Sequence, residues 1–147
     1  MIQLHMAGVP PSLNNLYVAT RGGGRALSAD GRKYKNEIKT LLQQEFPKEL
    51  MRLKKNTPYL VFFRFYFEHV ENKGWAKGET DRYKRLDVSN RAKVVEDCVK
   101  DSGAYDDSQN LIVILEKRQG LPERTDIWLW DIEAETTPFD DAFRQLR

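Results

Sequence analysis

Cysteine is almost absent from this sequence, in which Cys98 is the only one among 147 residues. A disulfide framework needs paired cysteines, so the class of small secreted domains held together by disulfides is excluded. A chain with a single thiol suits a reducing compartment, and we therefore expect a cytoplasmic protein.

Long apolar runs are missing as well. The longest one, around residues 59–63, is far shorter than the ~20 residues that a membrane-spanning helix needs. The first residues, MIQLHMAGVPP, contain neither a basic segment nor a long apolar one. We therefore expect no signal peptide and no membrane partner.

The composition is that of a folded globular chain, with 40% hydrophobic and 31% charged residues. Its length is that of one domain and can bury a core without metals or disulfides. The sequence has no internal repeat and no linker composition. We predict a single domain over residues 1–147, in which the acidic tail, residues 136–147, is the part expected to be peripheral.

The net charge of +2 hides an uneven distribution. Residues 1–55 carry ten lysines and arginines against four acids, and residues 82–100 carry six against three. Residues 101–147 carry five against eleven. Basic segments of this kind suit a polyphosphate partner, although ordinary surface charge explains them equally simply.

Four segments have the pattern of strands: residues 2–6, 59–67, 109–117 and 125–135. The second, YLVFFRFYF, is apolar on both faces. Such a strand either lies in the centre of a sheet or packs against a partner chain, and the sequence leaves both readings open.

Two segments have helical periodicity. The first begins after a capping residue, Ser28 or Asp30, and ends at Pro47; the second covers residues 88–102 and ends at Gly103. Residues 8–28 are rich in Pro, Gly and Asn and predict an irregular loop. The order of elements predicts an α+β fold, a mixed sheet of about four strands covered by two main helices.

Acidic residues flank the second predicted helix. Asp87 precedes it, and Asp106 and Asp107 follow it. Carboxylates are the hard oxygen ligands that Mg²⁺ prefers. A helix of ~15 residues is ~20 Å long, so its two ends cannot share one ion directly. Either the acidic pair folds back beside the helix, or a second chain contributes to the site.

A purely structural reading fits the same residues. Asp87 is a good helix N-cap, and Asp106–Asp107 before Ser108 is ordinary turn chemistry. Lys93, on the polar side of the helix, is then a solvated lysine. Beside a metal-bound phosphate, it would instead stabilise the negative charge that develops in the transition state.

Four segments, in order, resemble the RusA-type Holliday junction resolvases, the crossover-junction endodeoxyribonucleases common in prophages. They are GVPPSLNNLY, LSADGRKYKNEI, RLDVSNRAKVVEDCVKDSG and YDDSQNLIV. The family pattern has Asp-x-Asp-Asn-x-x-Lys before a helix and Asp-Asp-(Ser/Ala)-Gln after it. The resemblance covers most of residues 3–118.

This resemblance implies catalytic roles for Asp87, Lys93 and Asp107. It implies that Asp87 and Asp107, with Asp106 beside them, hold Mg²⁺, for which Mn²⁺ is a candidate substitute. It places the family's asparagine on Asn90.

One position departs from the family pattern. Ser89 stands where the best-known members have a second acid, which leaves open a homologue that binds junctions but cleaves them weakly or not at all. Asp97, on the same side of the helix as Lys93, is a candidate to compensate. A third reading, a scaffold that reuses the fold, does not explain why the whole polar set is present.

The resemblance further implies a homodimer that nicks a four-way DNA junction at two symmetric positions, with the strand over residues 59–67 as a candidate dimer surface. Tyr17 and Trp75 are candidate wedges at the junction centre. Basic residues near both motifs are expected to follow the DNA backbone: Arg21, Arg25, Arg32, Lys33, Lys35, Lys84, Arg85 and Arg91.

Overall fold

The computed structural model describes residues 1–11, 13–73 and 82–141. Its main sheet contains four strands, which are β1 (Ile2–Ala7), β4 (Tyr59–Phe67), β5 (Asn110–Gln119) and β6 (Arg124–Asp131). The predicted strand over residues 59–67 is confirmed to the residue. The last strand ends earlier than predicted, because the backbone turns directly after Asp131.

The strand order in this sheet is β1-β6-β4-β5. β6 pairs antiparallel with both β1 and β4, whereas β4 pairs parallel with β5. The predicted mixed sheet and α+β class are therefore confirmed. β4 lies between β6 and β5, so both of its edges form backbone hydrogen bonds with strands of this chain.

Two long helices, α2 (Ala29–Glu45) and α4 (Val88–Ser102), were predicted and are present. A third helix, α3 (Pro47–Arg52), was not predicted. Pro47, which the sequence indicated as a helix stop, begins α3. The fixed φ and missing N–H of proline suit the first helical turn.

The predicted loop over residues 8–28 is more ordered than expected. It contains a single helical turn, α1 (Leu13–Leu16), and a small antiparallel hairpin of β2 (Tyr17–Ala19) and β3 (Arg25–Leu27). A loop prediction was wrong here because two three-residue strands give too short a periodic signal to stand out among glycines.

The start of α2 is fastened to this segment. The Ser28 hydroxyl caps the helix by accepting from the Gly31 amide at 2.9 Å and donates to the Asn15 carbonyl at 2.8 Å. A Cβ atom at Gly31 would lie 2.6 Å from the Leu16 carbonyl oxygen, so this close approach requires glycine. The hairpin is therefore held at a defined position beside α2.

The core lies between the two long helices and one face of the sheet. Alternate residues of β4 point into it, and they are buried together with the apolar stripes of both helices. The opposite face carries Phe62, whose ring stacks on Trp128 at a centroid distance of 5.2 Å. Phe139, from the tail, packs edge-on against Phe62 at 5.9 Å.

Helix α4 runs antiparallel to β5. The Asn110 side chain, at the start of β5, donates to Glu96 at 2.9 Å, and Lys117, near its end, donates to the Leu86 carbonyl at 3.3 Å. The segment just before α4 therefore lies at the C-terminal end of β5. The turn just before β5 lies beside the C-terminal half of α4.

Candidate active site

Asp87 occupies the N-cap position of α4. Its carboxylate accepts hydrogen bonds from the Asn90 amide at 3.2 Å, from the Ser89 hydroxyl at 2.7 Å and from the Asn90 side chain. The Ser89 hydrogen bond, followed by the Asn90 amide, lowers the pKa of Asp87 below its usual value. The carboxylate is exposed and ionised, and three donors fix its orientation.

Asp107 begins a short 3₁₀ helix, Asp107–Gln109, that folds back beside α4. Its carboxylate accepts from Lys100 at 2.9 Å and from Lys93. These two lysines, Lys93 first, lower the pKa of Asp107 to about 2. Asp106, its neighbour, accepts from the Ser108 amide at 3.1 Å and lies 3.4 Å from Lys100.

Lys93 lies between two carboxylates. Besides Asp107 it faces Asp97 at 3.4 Å, and Asp97 in turn lies 3.4 Å from Lys35 of α2. The Asp107 hydrogen bond is the main cause that raises the pKa of Lys93 above its usual value. Lys93 is therefore a cation at neutral pH. Asp97 thus forms ion pairs with two lysines, one on each long helix.

The two carboxylate groups belong to separate clusters within one chain. Asp87 lies at the start of α4, whereas Asp107 contacts Lys93 and Lys100, whose Cα atoms lie roughly 9 Å and 20 Å further along the helix axis. In the parts of the chain that the structure describes, no three His, Cys, Asp or Glu side chains come together as a metal site. The carboxylate of Asp107 thus contacts Lys93 and Lys100, whereas the donors on Asp87 are Ser89 and Asn90.

Seven of the eight predicted DNA-binding residues fall into three groups, and Arg91 lies apart from them. Arg21 and Arg25 are exposed at the tip of the β2–β3 hairpin. Lys84 and Arg85 lie on the segment that leads into Asp87, where Lys84 is partly buried and Arg85 is exposed. The third group, Arg32, Lys33 and Lys35, lies on α2.

Arg32 and Lys33 are exposed on α2, and Lys35 is half-buried against Asp97. The guanidinium of Arg32 donates to the Leu27 carbonyl at 2.5 Å. With Lys39, Arg32 and Lys35 line a cavity of about 270 Å³ between α2 and α4.

Arg91 points inward, unlike the other predicted DNA-binding residues. Its guanidinium donates to the Pro10 carbonyl and lies over the Phe67 ring, 5.4 Å from the ring centroid. Burial lowers the pKa of Arg91 below its usual value. Within this chain Arg91 joins the N-terminal loop to α4.

Of the two candidate wedge residues, the structure describes only Tyr17. Tyr17 begins β2 and is half-buried. Trp75 lies outside the described residues.

Two residues of the cluster were not identified from the sequence. Lys100 and Glu96 lie seven and three positions after Lys93 on α4. Side chains three, four and seven positions apart share one face of a helix, and this spacing is the signal that would have pointed to them.

The family model described as “Endodeoxyribonuclease RusA” matches residues 7–129. The chain belongs to the RusA endodeoxyribonuclease family. No curated protein sequence matches it. Membership of the RusA family implies a junction-resolving endodeoxyribonuclease, and the matched region contains both carboxylate clusters and all the predicted DNA-binding residues.

The oxygen donors of this RusA-family chain are of the type that hard divalent cations prefer. Both carboxylate groups are ionised, Asp87 is exposed and Asp107 is partly buried against two lysines. Ser89 donates its hydroxyl to Asp87 and adds no charge. Among the described residues, no helix combines the length and the apolarity needed to cross a membrane.

Proposed function

We propose that this protein is a Mg²⁺-dependent endonuclease that resolves four-way DNA junctions by paired nicking, and that it acts as a homodimer. The observation that carries the proposal is Asp107, which two lysines keep ionised beside the helix whose N-cap is a second ionised carboxylate, Asp87. Cleavage is hydrolysis of one phosphodiester: water attacks phosphorus, the P–O3′ bond breaks, and a 5′-phosphate and a 3′-hydroxyl remain.

Asp87 and Asp107, with Asp106 adjacent, would hold the cation. When bound, Mg²⁺, or Mn²⁺ in its place, supplies Lewis-acid polarisation of the phosphate and a more acidic water. Lys93 supplies a fixed positive charge for the phosphate oxygens as negative charge develops on them. Asn90 and Ser89 hold the Asp87 carboxylate in one orientation.

Homodimer formation is supported by the outer edge of β5, with which no strand of the described residues pairs. β5 is the outermost strand of its sheet, and Leu111 and Val113 on it are 72% and 46% exposed. An unpaired apolar edge is a ready surface for another strand. A second copy of β5, pairing antiparallel, would bring the Asp107 end of one copy towards the Asp87 end of the other.

This arrangement accounts for the separation of the two carboxylates within one chain. It also gives two equivalent sites related by a twofold axis, which suits paired nicks in opposed strands. The hairpin arginines and the basic cavity beside α2 would contact the DNA backbone on either side. A prophage origin is part of the proposal and is supported by the family resemblance alone.

The second candidate is a junction-binding homologue that does not cleave. It is favoured by Ser89, which provides a hydroxyl where a second acid would add a charge to the site. Such a protein would keep the basic surface and the fold while binding the cation weakly.

One assay separates the two candidates. A mobile four-way junction is incubated with the protein in Mg²⁺, in Mn²⁺ and in chelator, beside an Asp87→Asn variant. Asparagine caps helices as well as aspartate does, so this variant keeps α4 while losing the charge. Paired nicks that need the cation and vanish in the variant support the nuclease. Tight, salt-sensitive binding without nicks in either cation supports the second candidate.

A further inference from the structure

A half-buried carboxylate, Glu96, lies on the same face of α4 as the two lysines that hold Asp107. Lys93, Glu96 and Lys100 are three and four positions apart, the spacing that aligns side chains on one helix face. The lysines donate to Asp107, and Glu96 accepts a hydrogen bond from Asn110 at 2.9 Å. The helix therefore contacts the returning turn at three points.

Asn110 also links the end of the turn to its beginning. Its side-chain amide donates to the Tyr105 hydroxyl at 2.5 Å as well as to Glu96. Tyr105 precedes the acidic pair, Asn110 follows the 3₁₀ helix, and the Tyr105 ring is buried against Tyr59 at a centroid distance of 5.9 Å. One amide thus joins the two ends of the turn to each other and to α4.

Two features of this network oppose folding stability. The side-chain carbonyl oxygen of Asn110 is buried and has no hydrogen-bond partner among the described residues. Burial, together with the charge of Asp107, raises the pKa of Glu96 above its usual value. Apolar side chains of similar size would avoid both costs, whereas hydrogen bonds fix a direction that apolar contacts do not.

We propose that Glu96 and Asn110 are positioning residues for Asp107. They hold the 3₁₀ helix at one distance from α4, so that the Asp107 carboxylate meets Lys93 and is presented to a cation in a single orientation. This inference rests on the proposed nuclease function, because that function gives the orientation of Asp107 a use.

The first test needs neither DNA nor cation. Backbone amide hydrogen exchange is measured for the wild type, Glu96→Ala, Glu96→Gln and Asn110→Ala, with Glu45→Ala as an exposed control on α2. We expect exchange in residues 105–110 to become about tenfold faster in the two variants that remove a hydrogen-bonding group. Glu96→Gln keeps the acceptor oxygen and should behave like the wild type and the control.

Two exchange results would overturn the proposal. One is unchanged exchange in the turn of Glu96→Ala. The other is faster exchange spread evenly along the chain, which indicates a general loss of stability in place of a local one.

The second test measures the Mg²⁺ concentration that gives half-maximal junction cleavage. We expect it to rise about tenfold in Glu96→Ala and Asn110→Ala, with the rate at saturating Mg²⁺ nearly unchanged, and to stay at the wild-type value in Glu96→Gln. An unchanged value in an active Glu96→Ala enzyme contradicts the proposal. A wild type that cleaves no junction in any cation defeats the proposed function instead, and hydrogen exchange still decides the positioning role.

Discussion

The ammonium group of Lys93 donates a hydrogen bond to the carboxylate of Asp107, fourteen positions further along the chain. This contact joins the middle of α4 to the turn before β5 and keeps both partners charged. It brings together the residue proposed to stabilise developing phosphate charge and one of the residues proposed to hold the cation.

Replacing Lys93 by glutamine is expected to lower junction cleavage by about 100-fold or more, because a fixed cation at the developing charge is lost. Binding of the junction should weaken far less, since Lys93 is one of many basic groups near the DNA. Gel-shift and single-turnover cleavage assays measure the two effects separately. Lys48→Gln, on α3, is the control for the loss of one lysine, and wild-type cleavage by Lys93→Gln would refute the role.

The stability of the protein should depend on pH through Asp107. Its pKa is lowered to about 2 in the fold from a usual value of 3.8. A lowered pKa means that the ionised carboxylate stabilises the fold above pH 4, and that this contribution is lost as the pH falls towards 2. Urea unfolding in chelator should therefore show Asp107→Asn less stable than the wild type at pH 7, with the difference vanishing near pH 2. Parallel pH curves for the two proteins would show that the lysine contacts contribute nothing.

Ser89→Asp tests the one departure from the family pattern. A second carboxylate beside Asp87 should lower the Mg²⁺ concentration for half-maximal cleavage by about tenfold, because it adds a charged oxygen ligand. Ser89→Ala is the matched variant that removes the hydroxyl donor without adding charge, and it should not show this gain. Equal behaviour of the two variants would mean that charge at this position does not affect cation binding.

Arg91 and Arg21 should differ in how their loss changes the salt dependence of DNA binding. Each phosphate contact contributes about 0.9 to the slope of log affinity against log salt concentration. Arg21→Ala, at the exposed hairpin tip, is expected to lower the slope by about that amount.

Arg91→Ala should leave the slope of log affinity against log salt concentration unchanged and should lower the thermal stability. The reason is that the guanidinium donates to the Pro10 carbonyl and packs over the Phe67 ring. Arg91→Lys should not restore the stability, since lysine lacks the planar group. A lower slope for Arg91→Ala would assign this arginine to the DNA surface after all.

Charged residues on the edge of β5 should break the proposed dimer. Light scattering is expected to give a dimer for the wild type and a monomer for a Leu111→Lys, Val113→Lys double variant, because two lysines oppose edge-to-edge pairing. Leu121, which is 69% exposed outside the strands, offers a matched control. A monomeric wild type, or a double variant that remains dimeric, would rule out this edge as the interface.

Local periodicity carried most of the fold prediction. The strand over residues 59–67 and the helix over residues 88–102 match the structure to the residue, because both have long, regular apolar patterns. The parallel pairing of β4 with β5 could not be predicted from local periodicity, because it depends on contacts between segments far apart in the chain. α3 was missed because a proline can end one helix or begin the next.

The polar residues at the two ends of α4 could be named from the sequence, whereas their spatial arrangement could not. The ends of α4 could be identified as acidic, but the return of Asp107 to Lys93 depends on how residues 103–106 turn. Arg91 shows the same limit in another form. Its predicted DNA contact stays a prediction, while its hydrogen bond to Pro10, far away in sequence, could not be foreseen.

Under the proposed function, the position of Asp87 at the N-cap of α4 limits which substitutions could remove cleavage and still keep this helix. Most substitutions of a capping aspartate destabilise a helix by about 1 kcal/mol, while asparagine and serine are tolerated. Relatives that have lost cleavage are therefore expected to carry asparagine or serine at this position. A relative with asparagine there would mark a lineage that gave up cleavage and kept its fold.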